Sequence, residues 1–209
     1  MSLDTGVHPE ITMRYSVECL FPSIVHNIEI NLPKSIEEFC LKQYNKDSEG
    51  VKFSNKGGGW QSRAIHEDTV VTDLLYETFR DTLYVHSQYQ EFDRITIANH
   101  WVNINPPNSY NTLHNHPQAH WSGVIYVKAP IGSGEIWFPN PDTFKTCSEV
   151  LFYKNEFKDY TKIHDHLSFT PREGTIIIFP SHLNHGVHMN ESSEDRISIA
   201  FNCHVRSSP

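Results

Sequence analysis

The sequence predicts a mainly β protein, an antiparallel sandwich or jelly roll with helices in its N-terminal part. From Arg94 onward, apolar residues alternate with polar ones or form short runs bounded by proline and glycine, which is typical of short strands. The residues before Arg94 contain two stretches with helical periodicity. Strands and helices do not alternate along the chain, and this argues against a parallel α/β sheet.

Two helices are predicted before the strands begin. Ser35 followed by Glu38 resembles a capping box, and it is expected to open a short helix that runs to about Tyr44. The second helix is predicted from Asp68 to about His86, where apolar residues recur at positions i and i+4. Both helices are expected to pack on the outside of one sheet.

About seven strands are predicted in the second half of the chain. Their sequences are RITIANHWVNINP, WSGVIYV, GEIWFP, HLSFTP, GTIIIFP, HGVHM and RISIAFNCHV. No internal repeat or linker divides the chain. We therefore expect a single domain over residues 1–209, with an N-terminal part at 1–93 and a β core at 94–209.

Composition excludes several classes of partner. The formal net charge is −8 and no run of lysine or arginine is present, so neither a nucleic acid nor a membrane surface is expected as a partner. No apolar run approaches the ~18 residues of a membrane span. Four cysteines lie far apart without CxxC spacing, at Cys19, Cys40, Cys147 and Cys203. With no signal peptide recognised, they predict reduced thiols in a cytoplasmic protein.

The segment HNHP places two histidines, His114 and His116, two residues apart. Residues i and i+2 of a strand lie on the same face, so this pair can bind one metal ion, and imidazole favours Zn, Fe, Cu or Ni. A third ligand is expected from a distant strand, because a sandwich brings distant strands together. The candidates are His182, His185 and His188, all of which follow the buried strand GTIIIFP.

Arg196 and Ser198 lie on the same face of the last predicted strand. A buried arginine needs an anionic partner, and its guanidinium together with a hydroxyl is well suited to bind a small carboxylate. The alternative is a buried ion pair between Arg196 and either Glu135 or Asp195.

The HxH pair, the distal histidine and Arg196-x-Ser198 together resemble the Fe(II)- and 2-oxoglutarate-dependent oxygenases. Within that superfamily, the segments WVNIN, HNHP, SGVIYV, HGV and RISIAFN are similar to a group of oxygenases from marine bacteria and phages that have no assigned substrate. The resemblance implies a double-stranded β-helix, which is cupin-like, over about residues 94–205. It also implies hydroxylation of an unidentified small molecule or amino-acid side chain, with release of succinate and CO2, and a homodimer is possible.

The resemblance also assigns residues. It makes His114 and His185 ligands of Fe(II), and it assigns four residues to 2-oxoglutarate: Asn103, Tyr126, Arg196 and Ser198. The sequence departs from the superfamily pattern at His116, which stands where a carboxylate ligand is usual. Either His116 is the third ligand, or it lies outside the coordination sphere, or a distant carboxylate supplies the missing charge. We favour a site of three histidines.

Two rival functions remain open from the sequence. The first is a cupin-type metalloenzyme that does not use 2-oxoglutarate, in which His120 would stand in the place of the cupin glutamate. The second is a jelly roll that binds a metal or ligand without catalysis. The glycine-rich loop at residues 57–62 lacks the spacing of a phosphate-binding loop, and we interpret it as a lid over the pocket.

Overall fold

The computed structural model describes residues 15–17, 19, 22–66, 69–82, 94–141 and 153–206. Within these residues, eleven strands and three helices are formed. In chain order they are β1 (His26–Glu29), α1 (Lys34–Lys46), β2 (Asn55–Lys56), β3 (Trp60–Gln61), α2 (Thr69–Arg80), β4 (Arg94–Asn105), β5 (Tyr110–His114), β6 (Trp121–Lys128), β7 (Ile136–Pro139), α3 (Asn155–Thr161), β8 (His166–Phe169), β9 (Thr175–Pro180), β10 (His185–Val187) and β11 (Arg196–Arg206). Each of the seven predicted strand sequences forms a strand.

The strands form two antiparallel sheets. The larger sheet has the order β1-β9-β6-β11-β4-β3, and the smaller has the order β2-β5-β10-β7-β8. Strand β11 therefore lies inside the larger sheet, between β4 and β6. Neighbouring strands within both sheets come from distant parts of the chain, as expected for a sandwich.

Two hydrophobic clusters hold the layers together. The first joins α1 and α2 to the larger sheet and includes Ile36, Leu75, Phe79, Ile199 and Phe201. The second lies between the two sheets and includes Tyr126, Ile136, Phe138, Ile177, Phe179 and Leu183. The prediction that the N-terminal helices pack on one sheet is confirmed, because a sheet with apolar side chains on both faces needs a cover on its outer side.

The helix boundaries differ from the predicted ones. Helix α1 begins at Lys34 after Pro33, and no side chain forms a cap hydrogen bond, so the predicted capping box at Ser35 and Glu38 is wrong. Pro33 fixes the start of the helix because its φ of −64° is compatible with entry into a helix, and Ser35 then falls inside the first turn. Of the predicted second helix, residues 68 and 83–86 lie outside the described residues.

The glycine-rich loop connects the two sheets instead of covering a pocket. It lies between β2, which pairs with β5 in the smaller sheet, and β3, which pairs with β4 in the larger sheet. Gly57 has a φ of 64°, and a Cβ at this position would collide with the carbonyl oxygen of Asn108. The lid interpretation is wrong, since none of residues 57–62 lines the cavity described below.

The described cysteines, Cys19, Cys40 and Cys203, are free thiols, and Cys147 lies outside the described residues. Burial raises the pKa of Cys40 and of Cys203 to about 12, so both remain protonated. In the described part of the chain, none of the helices has the length and apolarity needed to cross a membrane.

Candidate active site

Three histidine side chains converge next to the paired strands β5 and β10 of the smaller sheet. His114 at the end of β5 lies directly opposite His185 at the start of β10 in the antiparallel register. Their ring centroids are 4.4 Å apart, and the ring of His116 lies 5.1 Å from that of His114 and 5.2 Å from that of His185. One nitrogen atom of each ring lies within 4.8 Å of the others, which is close enough for one metal ion to contact all three.

A bulge in β5 directs two side chains into the same cavity. His185 pairs with His114, but Val187 pairs with Asn111, so three residue steps on β5 match two on β10. As a result Asn111 and His114 both line the cavity, although simple alternation would place them on opposite faces. Sequence reasoning missed Asn111 because a bulge leaves no signal in the alternation of polar and apolar residues.

Two of the histidine rings are oriented by backbone carbonyls. Nδ1 of His114 lies 2.8 Å from the carbonyl oxygen of Thr112, and Nδ1 of His185 lies 3.0 Å from that of Leu183. A carbonyl oxygen can only accept a hydrogen bond, so Nδ1 carries the proton in both rings. Nε2 is therefore left unprotonated, which is the form that binds a metal ion.

The environment keeps the imidazoles neutral. Burial lowers the pKa of His185 to about 3, with a smaller contribution from the neighbouring His114. Burial, again with His114 nearby, lowers the pKa of His116 to about 4, and the pKa of His114 is also lowered by burial. A neutral imidazole is the form that a metal ion requires, so at neutral pH no proton has to be displaced.

The opposite wall of the cavity is formed by the larger sheet. Ser198 on β11 pairs with Asn103 on β4 and with Tyr126 on β6, and these three residues therefore form one row across the sheet. Arg196 lies two residues before Ser198 and lines the same cavity. The structure brings together all seven residues that the sequence predicted for the site: Asn103, His114, His116, Tyr126, His185, Arg196 and Ser198.

Arg196 is a buried cation without an anionic partner among the described residues. It is 2% exposed, and Nη1 donates to the carbonyl oxygens of Ser133 and Gly134 at 2.6 and 3.0 Å. Its Nε and Nη2 have no acceptor in the described part of the chain. The alternative ion pair is not formed there: Asp195 is exposed, and Glu135 accepts a hydrogen bond from Thr170 at 2.6 Å.

Two further polar atoms beside Arg196 lack a partner. The hydroxyl of Tyr126 and Oδ1 of Asn103 are buried without a hydrogen bond to any described residue. Burial raises the pKa of Tyr126 to about 12, so the phenol stays protonated and can donate. A buried polar group without a partner costs about 1–3 kcal/mol in folding free energy, and a ligand that accepts its hydrogen bond offsets this cost. Tyr126 and Arg196 are both donors, so this wall is suited to bind an anionic ligand.

Comparison with known proteins identifies the family. Residues 99–202, which contain the three histidines and the Arg196 wall, match a family model described as "Putative 2OG-Fe(II) oxygenase". The chain belongs to the 2OG-Fe(II) oxygenase family. A search of curated proteins finds no match to this oxygenase.

Solved structures similar to this oxygenase show the same fold at low sequence identity. A prolyl-4-hydroxylase from Pseudomonas putida has a TM-score of 0.57 and 12% identity, covering 90% of this chain and 94% of the other. A viral collagen prolyl hydroxylase from Paramecium bursaria Chlorella virus-1, solved with 2OG, has a TM-score of 0.53 and 17% identity, covering 88% and 97%. HygX from Streptomyces hygroscopicus, solved with nickel, 2-oxoglutarate and hygromycin B, has a TM-score of 0.57 and 11% identity, covering 87% and 83%.

The predicted fold class is confirmed, since the two sheets of this oxygenase form the double-stranded β-helix of these structures. The residues present also fit the family's metal and cosubstrate. The three neutral imidazole nitrogens are donors suited to Fe(II). The Arg196 guanidinium, which has no anionic partner among the described residues, and the unpartnered Tyr126 phenol suit a dicarboxylate. Among the described residues, no aspartate or glutamate joins the histidine group.

The oxygenase does not place the other candidate histidines in this group. Nδ1 of His120 accepts a hydrogen bond from the backbone N–H of Val205 at 3.1 Å, and its ring contacts His204. The cupin interpretation is therefore wrong about His120, which is held away from the other three rings by this bond. His182 and His188 are exposed and do not line the cavity.

Proposed function

We propose that His114, His116 and His185 hold Fe(II) and that Arg196 and Tyr126 bind the distal carboxylate of 2-oxoglutarate. The observation that carries this proposal is a buried guanidinium that has no anionic partner among the described residues and lies in the same cavity as three convergent, neutral imidazoles. A structural arginine at such a depth would need a carboxylate from the protein, and none is present among the described residues. The sequence pattern and the geometry therefore support the same assignment.

The residues of the larger sheet orient the cosubstrate. Nε and Nη2 of Arg196 are free to donate to one carboxylate, while the two carbonyls at Nη1 keep the guanidinium plane fixed. The Tyr126 hydroxyl provides another donor at the same end of the cavity, and the amide of Asn103 and the hydroxyl of Ser198 lie in the adjacent row. Binding of the far carboxylate at this wall directs the keto acid end toward the histidines.

The cosubstrate offsets most of the positive charge in the site. No carboxylate of the described residues lines the cavity, so the charges of Fe(II) and Arg196 are opposed mainly by the two negative charges of the 2-oxoglutarate dianion. When bound, Fe(II) supplies the centre at which dioxygen and 2-oxoglutarate react, with release of succinate and CO2. Several apolar side chains also line the cavity and reduce its polarity: Val124, Ile136, Phe179 and Val187.

We infer that the group hydroxylated in the substrate is uncharged. Arg196 is the one residue with a permanent charge that lines the cavity in the described part of the chain, and the cosubstrate occupies it. Trp101, Asn111 and Ser54 provide an aromatic surface and neutral polar groups near the histidines. This suits a small molecule or an amino-acid side chain. Binding to nucleic acid is not expected, and a homodimer and a cytoplasmic location stay predictions.

Uncoupled turnover tests the proposed function without knowledge of the substrate. Purified protein is incubated with Fe(II), ascorbate and 2-oxoglutarate, and succinate is quantified. We expect succinate formation that stops when the metal is chelated and that is lost in His185→Ala. A protein that forms no succinate and binds no 2-oxoglutarate in the presence of Ni(II) would instead be a jelly roll that binds a ligand without catalysis.

A further inference from the structure

The three histidines of the centre are not held equally. His114 and His185 each donate from Nδ1 to a backbone carbonyl, as described above. The ring of His116 makes no hydrogen bond to any residue that the structure describes. Its ring contacts are with the other two histidines and with Trp101, whose centroid lies 5.6 Å away. Two rings are therefore fixed by a polar partner, and the third is fixed by packing alone.

The backbone position of His116 adds to this difference. His114 and His185 lie at strand ends that pair with each other, whereas His116 lies two residues beyond the end of β5. Its backbone N–H donates to the carbonyl oxygen of Ser181 at 2.9 Å, so the main chain is anchored. Among the described residues, the side chain of His116 is therefore restrained by packing alone, on the side of the cavity where Trp101 is half-buried.

We propose that His116 is an exchangeable ligand, while His114 and His185 form the permanent part of the metal centre. This inference rests on the proposed function. Hydrogen-bond partners of ligating histidines typically contribute about 10–100-fold to metal affinity, because they fix the tautomer and the ring orientation. His116 has no such partner among the described residues, so a small donor molecule, such as an imidazole or a carboxylate, can take its place. Release of its ring opens a coordination position beside Trp101.

Cobalt binding to single variants tests this assignment. Metal-free wild type, His114→Ala, His116→Ala and His185→Ala are titrated with Co(II), and the visible d–d absorption and the Kd are recorded. We expect Co(II) affinity to fall about tenfold in His116→Ala and at least about a hundredfold in the other two variants. Added imidazole is expected to restore the wild-type absorption band in His116→Ala but not in His185→Ala. His182→Ala, at an exposed histidine, is the matched control with unchanged Co(II) affinity.

The outcomes separate this inference from the proposed function. If His116→Ala loses Co(II) as completely as His185→Ala, and imidazole does not restore binding, the inference is overturned and a centre of three equal histidines stands. If His114→Ala and His185→Ala bind Co(II) as the wild type does, the metal lies elsewhere and the proposed function fails with it. Circular dichroism checks the fold of each variant, and His116→Gln replaces His116→Ala if the smaller side chain prevents folding.

Discussion

His114 and His185 face each other as a register pair of β5 and β10, with ring centroids 4.4 Å apart. Strand pairing rather than a loop thus fixes the distance between these two rings. Their Nδ1 atoms donate to carbonyls within their own segments, at Thr112 and Leu183, which orients both Nε2 atoms toward the cavity. The positions of these two rings are therefore set by the fold itself, and the wall with Arg196 lies on the opposite sheet.

Replacing Arg196 is expected to weaken cosubstrate binding while metal binding remains. The loss of a bidentate, charge-assisted contact costs about 2–3 kcal/mol, so 2-oxoglutarate affinity of the Ni(II)-loaded Arg196→Met variant should fall about 30- to 150-fold. Arg196→Lys keeps the charge but not the fork geometry and should fall about tenfold. Isothermal titration calorimetry measures the affinity of each variant for Ni(II) and for 2-oxoglutarate.

The matched control for this experiment is Arg172→Met, because the side chain of Arg172 is 75% exposed and does not line the cavity. Unchanged 2-oxoglutarate affinity in Arg196→Met would show that the guanidinium has a structural role only.

Tyr126→Phe is expected to weaken the binding of 2-oxoglutarate without lowering the stability of the ligand-free protein. The Tyr126 hydroxyl is buried and has no partner among the described residues, so its removal should leave the free energy of unfolding of the ligand-free protein unchanged or slightly higher. The same change should weaken 2-oxoglutarate binding by about tenfold, since a donor to a carboxylate is lost. Urea unfolding and calorimetry measure the two effects. A variant that is destabilised by several kcal/mol while binding 2-oxoglutarate normally would contradict the assignment.

A buried polar chain supports the segment that carries His116. Ser122 donates to Oδ1 of Asn202 at 2.7 Å and lies 2.8 Å from the hydroxyl of Ser181. A hydroxyl has one proton, so Ser181 must be the donor to Ser122. Ser122→Ala leaves the Ser181 hydroxyl and the Asn202 oxygen without these partners, and we expect a loss of about 1–3 kcal/mol in the free energy of unfolding.

Chemical denaturation of Ser122→Ala measures this loss. Ser193→Ala, at an exposed serine, is the control and is expected to change the free energy of unfolding by less than about 0.5 kcal/mol. If the two variants unfold at the same urea concentration, the chain Ser181–Ser122–Asn202 does not contribute to stability.

The stability of the metal-free protein is expected to fall with acidification. The folded pKa values of His116 and His185, about 4 and about 3, lie below the value of 6.5 for an unperturbed histidine. At a pH between the folded and the unperturbed pKa values, the unfolded state binds more protons than the folded state does. The free energy of unfolding therefore decreases as the pH falls from about 6.5 toward 4. His185→Ala should show a shallower decrease over this window, and His182→Ala should keep the wild-type slope. Equal slopes in all three proteins would refute this account of the buried histidines.

Four of the six strands of the larger sheet, β4, β6, β9 and β11, could be predicted from the sequence, whereas β1 and β3 could not. The alternation in β4 and β11 is regular over the site, and the antiparallel register pairs Ser198 directly with Asn103, which the family resemblance had assigned to the cosubstrate. The apolar strand sequences of β6 and β9 also predicted the core between the sheets. In a strand, the face on which a residue lies can be predicted where polar and apolar residues alternate regularly.

The smaller sheet could be predicted only in part. The bulge between Asn111 and His114 changes the face of one residue, and nothing in the local sequence marks it. His116 lies beyond the strand end, so its convergence with the other two histidines depends on the Ser181 contact and not on the i, i+2 rule. The short strands β2 and β3 have two residues each, which is too few for any periodicity.

An anomalous-scattering map of crystals soaked with Ni(II) and 2-oxoglutarate would locate both ligands in one experiment. We expect one metal peak about 2.0–2.3 Å from the ring nitrogens of His114 and His185, with the far carboxylate of 2-oxoglutarate on the guanidinium of Arg196. A metal peak away from this histidine pair, or a cosubstrate carboxylate that does not contact Arg196, would contradict the proposed function.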